Sequence, residues 1–566
     1  MSDSQHFDRQ RPRRFLTPLV AALLMGGCVA VEEGAVRYDT LVSRLEASRS
    51  DDWSGLDDAF LRLPDFQTRL EELGALHDRT PQAPPIAPED LATQMLGLYY
   101  GDLRAHELAH RTALAASDSA TAAFHLDAGQ ALADVIASSG DGSEDRPYRL
   151  LSAPQAYAWL GRERMDVVGA FYEADDARRV LHLVARLRED GSAARSEVRF
   201  DLSPTYRAAT ALSAAVGGGE GPTPSQIIAT RAAQGDSAAQ TAHAISLWQR
   251  GPEHAARAVN WLRAASDSGN LVAREMLGVI FGSLAGMRDG EEAERLLDAA
   301  VDQFLLAVNQ GSSTAMYNLA QLYLSGHFGE ENQPAGVTLL EQASERGNLD
   351  AVVMLARLHY NGQFVAKDRD RALTLLIDAS ERGHTDARLF YARHLLSTDE
   401  GAGFNERAYD WLDDSARADG SAEAMMLLGT LHADGEFAAR DPALAVTWFK
   451  SAAEGSRDAE LINSVAWILV VAEDLELRDP NAGLALMNTL MVRDQRAAAN
   501  PAYLDTWAAA YAANGDFENA LRVQAEAVAI AEAEAEARGE PPPYLDVLRE
   551  HMDLFRDGST VSEDVP

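Results

Sequence analysis

Seven glycines recur along the second half of the chain, at Gly235, Gly269, Gly311, Gly347, Gly383, Gly420 and Gly455, in steps of 34, 42, 36, 36, 37 and 35 residues. A period of this length is the mark of stacked supersecondary units and rules out a single mixed core. Four residues after each glycine stands an alanine: Ala239, Ala273, Ala315, Ala351, Ala387, Ala424 and Ala459. Four further on, in five of the units, comes a larger residue: Leu277, Leu319, Leu355, Tyr391 or Leu428. Spacing of i, i+4, i+8 lays these side chains along one face of a helix. A second stripe follows in most units: Ala258/Trp261/Ala265, Gly336/Leu339/Ala343, Ala372/Leu375/Ala379, Ala408/Trp411 and Ala445/Trp448/Ala452. Small residues let two helices approach closely, and the large one fills the space beside them. Between the helices, Gly362 and Gly435 are placed to end the first helix at positive φ. Asp441 followed by Pro442 suits an N-cap and first turn for the second. Gly326/Phe328, Gly362/Phe364 and Gly435/Phe437 suggest a turn with its aromatic tucked inward.

The unit "GSAEAMMLLGTLHADGEFAARDPALAVTWFKSAAEG", residues 420–455, resembles the Sel1-like repeat, and the resemblance extends over about 225–456 with an irregular unit near 282–310. Residues 457–538 are similar to tetratricopeptide repeats. "NPAYLDTWAAAYAANGDFENALRVQAEAV" carries Tyr511, Gly515, Ala520 and Ala527 at matching offsets. Pro541, Pro542 and Pro543 stop the last long helix, and 539–566 reads as a short capping helix with a loose end. The expected fold is mainly α: a right-handed α-solenoid of Sel1-like and tetratricopeptide-like hairpins, behind an N-terminal α+β domain. A solenoid of this kind offers a groove for an extended peptide or another protein's face. On estimated helix phase, the first helices place Tyr317, Asn318, Arg357, Arg388 and Met425 on that partner-binding face.

The front of the chain differs in kind. Arg9, Arg11, Arg13 and Arg14 precede the apolar run "FLTPLVAALLM", and then comes "GGC" with the chain's one cysteine. This basic, apolar, small-residue order is a secretory signal, too short to span a bilayer. Met25-Gly26-Gly27-Cys28 resembles a bacterial lipobox, which implies removal of 1–27 and acylation of Cys28. Val29 in the next position implies an anchor in the outer membrane facing the periplasm. Membrane attachment is expected through the acyl chains of Cys28 only, at about 0.8 kcal/mol per buried CH₂. With no second cysteine, packing alone must hold the fold. A net charge of −37 repels phosphates and anionic headgroups, so nucleic acid is not an expected partner.

Residues 28–87 hold amphipathic stretches, "YDTLVSRLEAS" and "WSGLDDAFLRLPDFQTRLEEL", and a proline-rich linker. From 88 the pattern is helical. At about 166–203 it changes to period two in "VVGAFYEA", "RVLHLVARL" and "SEVRFDLS", which predicts a three-stranded antiparallel meander. "VGGGEGPTP" marks a linker over 206–224. The run "VIASSGDGSEDRPYRLLSAPQAYAWLG" followed by "VRFDLS" resembles a bacterial domain family of unknown function found in secreted or envelope proteins. Its clearest part is Ser139-Gly140-Asp141-Gly142, and the likeness spans roughly 38–205. No activity comes with it.

One motif speaks for chemistry. "HELAH" at 106–110 fits the zinc-hydrolase pattern, in which His106 and His110 share a helix face as ligands and Glu107 activates a water. Against this stand Arg104 and Arg111 beside it, Thr112 where an apolar residue is usual, and the lack of a third ligand in a recognisable motif near His125 or Glu144. "YYGDLRAHELAHRTAL" also fits the second helix of a tetratricopeptide-like hairpin, with its histidines against the preceding helix or in solvent. The chain lacks a G-x-S-x-G elbow, a phosphate-binding glycine loop and a catalytic cysteine. The expectation is therefore a non-enzymatic protein with no metal, cofactor or small-molecule substrate: a lipid-anchored periplasmic scaffold with protein partners in the cell envelope. A role in outer-membrane or exopolysaccharide export assembly is the specific form. Alternatives are a zinc-dependent hydrolase at His106, Glu107 and His110, or a periplasmic regulator of a membrane sensor.

Overall fold

A computed structural model describes residues 36–47, 52–77, 86–188, 196–215, 221–396, 406–435, 438–494 and 496–565. The signal segment and Cys28 lie outside these, as does Phe437. The chain forms two compact units, one ending at Asn348 and the other starting at Leu349. No helix among the described residues is long and apolar enough to cross a membrane.

The first unit begins with α1 (36–47), α2 (Leu56–Phe60), α3 (Phe66–His77), α4 (Pro88–Leu98), α5 (Leu103–Ala115) and α6 (Ser119–Ser139). Then come β1 (Tyr148–Arg149), α7 (Ala153–Arg162), β2 (Val167–Asp175), β3 (Val180–Leu187), β4 (Glu197–Asp201) and α8 (Ser203–Ala215). The period-two stretches form the expected antiparallel meander β2-β3-β4, with Phe200 facing Leu183 and Tyr172 also facing Leu183 across their ladders. A fourth strand, β1, pairs parallel with β4 through Tyr148 and Phe200, so the sheet is mixed, in order β1-β4-β3-β2. Two residues are too few to show a period, which is why β1 escapes sequence patterning. The Ser139–Gly142 turn creates it. Asp141 and Gly142 both donate N–H to the Arg146 carbonyl, and the Arg199 N–H closes on the Gly142 carbonyl. The Arg149 N–H donates to Ser139 Oγ at 2.9 Å.

Two boundary expectations are corrected. Helix α8 fills much of the 206–224 stretch assigned to a linker. The α+β region is also not separate from its neighbours, because one core joins Tyr38 and Leu45 of α1, Phe60 of α2, Met95 of α4, the sheet residues Leu183 and Phe200, and Ala239 of the first repeat. The repeats of this unit follow as α9 (Pro224–Ala233), α10 (Ser237–Gln249), α11 (Ala255–Asp267), α12 (Leu271–Ala285), α13 (Gly290–Asn309), α14 (Ser313–Leu324) and α15 (Gln333–Glu345). Strand β2 leans on them, with Val168 sharing a core with Ala244, Leu262 and Leu277. Asn270, the N-cap of α12, is buried and completes the free edge of β2: its Nδ2 donates to the Ala170 carbonyl at 2.7 Å while Oδ1 accepts from Val272 N. Gly169 permits this, since a Cβ there would lie 2.8 Å from Asn270 Oδ1. An edge strand is thus covered by a repeat helix instead of facing water.

The second unit stacks α16 (Leu349–Asn361), α17 (Arg369–Glu381), α18 (Thr385–Leu396), α19 (Glu406–Arg417), α20 (Ala422–Asp434) and α21 (Pro442–Gly455). It continues with α22 (Ala459–Val471), α23 (Pro480–Arg493), α24 (Pro501–Ala513), α25 (Phe517–Arg538) and α26 (Leu545–Arg556). Six of the seven periodic glycines take positive φ between the hairpins; Gly455 stays inside the end of α21, where the register changes. The alanines that follow them from Ala239 to Ala424 are fully buried. In the second helices the deepest side chain is one residue beyond the one the stripe pattern names: Leu262, Leu340, Leu376, Leu412 and Phe449 are fully buried, while Trp261, Leu339 and Leu375 are only partly so. At 100° per residue, i+4 lies as near the alanine line as i+3, and the second helices pack on the first helices of their own and of the following hairpin.

Three turn and end expectations change. Phe364 is not tucked inward; it is 48% exposed, at φ 59°. The helix before the triple proline ends at Arg538 because Gly539 takes a left-handed cap, ahead of Pro541. The stretch after α26 is not loose: Val561 is buried, and Glu563 pairs with Ala472 in an isolated parallel bridge.

Candidate functional site

The HELAH helix α5 starts at a buried cap. Asp102 accepts the Ala105 N–H at 2.8 Å and holds His77 Nε2 of α3 at 2.8 Å. One turn on, His106 is fully buried, edge-on to Trp53 and Tyr100. Its Nε2 lies 2.8 Å from the Tyr100 carbonyl, an acceptor only, so Nε2 carries the proton. Nδ1 is then an acceptor, and His125 Nδ1 of α6 donates to it at 2.9 Å. Both ring nitrogens of His106 are therefore committed. Burial pushes its pKa down to about 4, which the Tyr100 hydrogen bond only partly offsets. His110 donates Nδ1–H to the Ala122 carbonyl at 2.7 Å. Glu107 faces Arg162 at 3.5 Å. A zinc ligand needs a free lone pair aimed at the ion, and His106 has none. Both histidines reach the following helix α6, through His125 and the Ala122 carbonyl; His106 also meets Trp53 and Tyr100 ahead of α5, and His110 is partly exposed. Among the described residues no group of three or more His, Cys, Asp or Glu side chains is placed to hold a metal ion.

A cavity of about 200 Å³ lies elsewhere in the first unit, lined by Trp53, Asp57, Tyr99, Leu132, Arg149 and Gln155 among others. Its charged groups are spent on one another. Tyr99 Oη donates to Asp57, and Arg149 Nη2 donates to Asp58 at 2.6 Å. Burial raises the pKa of Asp57 above the ordinary carboxylate range, which suits a carboxyl held inside the fold.

The residues expected to meet a partner fall on first helices. Tyr317 and Asn318 of α14 are partly buried in the first unit. In the second, Arg357 of α16 is exposed and lies 5.9 Å above the Phe390 ring. Arg388 of α18 is only part-exposed, because its Nε donates to the Ser380 carbonyl at 3.1 Å and ties α18 to α17. Met425 of α20 packs beside the Leu389–Leu428 core. Around Arg357 the fold gathers an aromatic group that sequence patterning missed: Tyr360 stands edge-on to Phe390 at 5.2 Å and reaches His394 Nδ1 at 3.0 Å, with Arg369 over its ring. A second missed feature recurs in the turns. His359 and His432 each donate Nδ1–H to a loop carbonyl, of Ala366 at 3.3 Å and Ala439 at 3.1 Å. Nine residues after each histidine, Asp368 and Asp441 cap the next helix and donate N–H back to that histidine's carbonyl. A histidine nine residues before a capping aspartate was the signal that could have found them.

The model of the Sel1 repeat matches residues 252–270, 313–348, 349–384 and 422–456. Among solved structures the chain is similar to c5321, a protective antigen present in uropathogenic Escherichia coli strains and displaying an SLR fold, at 18% identity. That match covers 63% of this chain and 80% of the other, with a TM-score of 0.35. It is similar also to a Sel1 repeat protein from Oxalobacter formigenes at 18% identity, over 44% of this chain and 98% of that one, with a TM-score of 0.35. The yeast protein Tom70 aligns at 12% identity over 94% of this chain and 96% of its own, with a TM-score of 0.27. No curated protein matches the chain. Three of the four matched stretches each span one hairpin whose periodic alanine is buried, the first spans α11, and the chain carries Sel1 repeats.

Proposed function

We propose that the protein is a lipid-anchored periplasmic scaffold that gathers protein partners in the cell envelope, in outer-membrane or exopolysaccharide export assembly. Sel1-repeat proteins act as protein–protein interaction scaffolds and are typically non-catalytic. The observation that carries the reading is the row of first helices whose small residues are consumed in packing while larger side chains, the exposed Arg357 and the partly buried Tyr360 and Phe390, remain toward the surface above a buried His394. Cationic and aromatic side chains of this kind anchor protein interfaces. The Met25–Cys28 motif supports the anchor. Its test is palmitate labelling of the expressed chain with fractionation: label in the outer-membrane fraction, lost in Cys28→Ser, is the expected result. In-cell crosslinking followed by affinity capture tests the scaffold. Envelope proteins enriched by the native chain and lost with Arg357→Glu/Tyr360→Ala are expected. An unlabelled chain overturns the anchor, and recovery indifferent to the substitutions overturns the binding face.

A further inference from the structure

The segment after α26 is seated on the second unit as a strand would be. Glu473 N donates to the Glu563 carbonyl at 2.8 Å, and Glu563 N donates to the Val471 carbonyl at 2.9 Å. Side chains alternate along it: Val561 is buried, Ser562 exposed, Glu563 partly buried, Asp564 exposed and Val565 partly buried against the α22–α25 cores. That is the period of an extended chain laid on a surface. Glu563 Oε2 accepts from Trp467 Nε1 of α22 at 3.0 Å, and Ser562 Oγ accepts from Arg478 Nη2 at 2.9 Å.

The seat is built without the segment: Arg478 is fixed by donating to the Ala472 and Val471 carbonyls, at 2.5 and 3.1 Å. The loop beyond is pinned by Arg440, paired with Asp474 and with Glu476 at 3.0 Å. Asp479 N closes it on the Leu469 carbonyl. The segment joins the seat by one parallel bridge, the buried Val561 and the bonds of Ser562 and Glu563, and it leaves α26 through Gly558 at φ 71°. A preset edge with fixed donors, filled by an extended segment through backbone bonds and alternate side chains, has the physical form of strand-addition recognition, where backbone bonds give affinity and alternate side chains give selectivity.

We infer that the edge formed by residues 471–473, with Trp467 and Arg478, is a docking site for an extended partner segment carrying an aliphatic residue, a carboxylate two residues later and a second aliphatic residue two beyond that. Residues 559–565 occupy it as an exchangeable stand-in. The site deepens the scaffold reading by naming a partner chemistry, and it holds wherever in the cell the protein resides. The vacated Trp467 indole N–H, part-buried, selects the carboxylate.

The probe is a fluorescein-labelled peptide with the sequence of residues 558–565, titrated into the full chain by fluorescence anisotropy. The native chain is expected to bind weakly because its seat is filled. A Val561→Ser/Glu563→Gln chain, its far-ultraviolet circular dichroism unchanged, is expected to bind at least ten-fold more tightly. A Glu→Ala peptide, at the position of Glu563, should lose that gain, and so should Trp467→Phe in the released chain. In the native chain, saturating peptide should speed amide exchange across 559–565 as the peptide takes over the seat. Equal affinity of the native and released chains, affinity indifferent to the peptide's glutamate, or exchange at 559–565 unchanged at saturation would each overturn the inference. Failure here leaves the envelope captures standing, since those depend on Arg357 and Tyr360 of other repeats.

Discussion

Acidification should loosen the first unit through one residue, His106. In the fold its imidazole is buried, neutral and committed at both nitrogens, with a pKa near 4 against 6.5 for the free side chain. The sign follows from linkage: near neutral pH both folded and unfolded forms are uncharged there, and nothing is lost. Below 6.5 the unfolded chain takes up the proton and the folded chain does not, so stability falls until the folded pKa is reached. The full difference corresponds to roughly 3 kcal/mol, of which about 2 kcal/mol is lost between about pH 7.5 and pH 5. His125, also lowered by burial and by the nearby His110, acts in the same direction. The assay is urea unfolding followed by hydrogen exchange in peptides from Leu103–Ala115, for the native chain and for His106→Gln. The glutamine retains a donor for the Tyr100 carbonyl but cannot be protonated. The native chain should start more stable at pH 7.5, and the gap should shrink by about 2 kcal/mol at pH 5. Parallel pH profiles for the two chains would refute the assignment of His106 as a buried neutral imidazole.

The opposite sign is expected at the other end of the chain. Burial lowers His551, but the bond and charge of Asp505, with Glu563 and Glu550, outweigh it and raise its pKa. Protection of Leu545–Arg556 should therefore be full below pH 6.5 and decline as pH rises through the raised folded value, a trend that His551→Gln should abolish. Gly142→Ala forces a side chain into positive φ and to within 2.6 Å of the Tyr148 ring, and should cost at least about 2 kcal/mol in urea unfolding of the first unit. Asn270→Ala exposes the edge of β2 and should cost about 1–3 kcal/mol, with faster exchange at Ala170 as its local signature. Zinc added to the purified chain should give no stoichiometric tight binding in calorimetry, and His110→Ala should not change the isotherm; tight zinc lost in that variant would restore the hydrolase.

The spacing of glycines and alanines by itself determined the hairpins. A helix face is a local property, and Ala239, Ala315, Ala351 and Ala424 are buried whichever neighbour covers them. Turn chemistry was equally legible where one residue suffices, as at Gly362, Gly435 and the Asp441-Pro442 cap. Three things required the tertiary structure, because each joins residues of different elements that no single helix or strand pattern relates. The protonation of His106 depends on Tyr100 and on His125 of the next helix, and HELAH reads the same whether a metal or a carbonyl lies opposite. Asn270 meets Ala170 across 100 residues, so the union of the meander with the first repeats is invisible to any local pattern. Glu563 reaches Trp467 across 96 residues. A short polar stretch after a last helix resembles an unbound end, and only the edge waiting at Val471–Glu473 turns it into a strand, because a backbone donor pays its desolvation only when an acceptor is fixed in place to receive it.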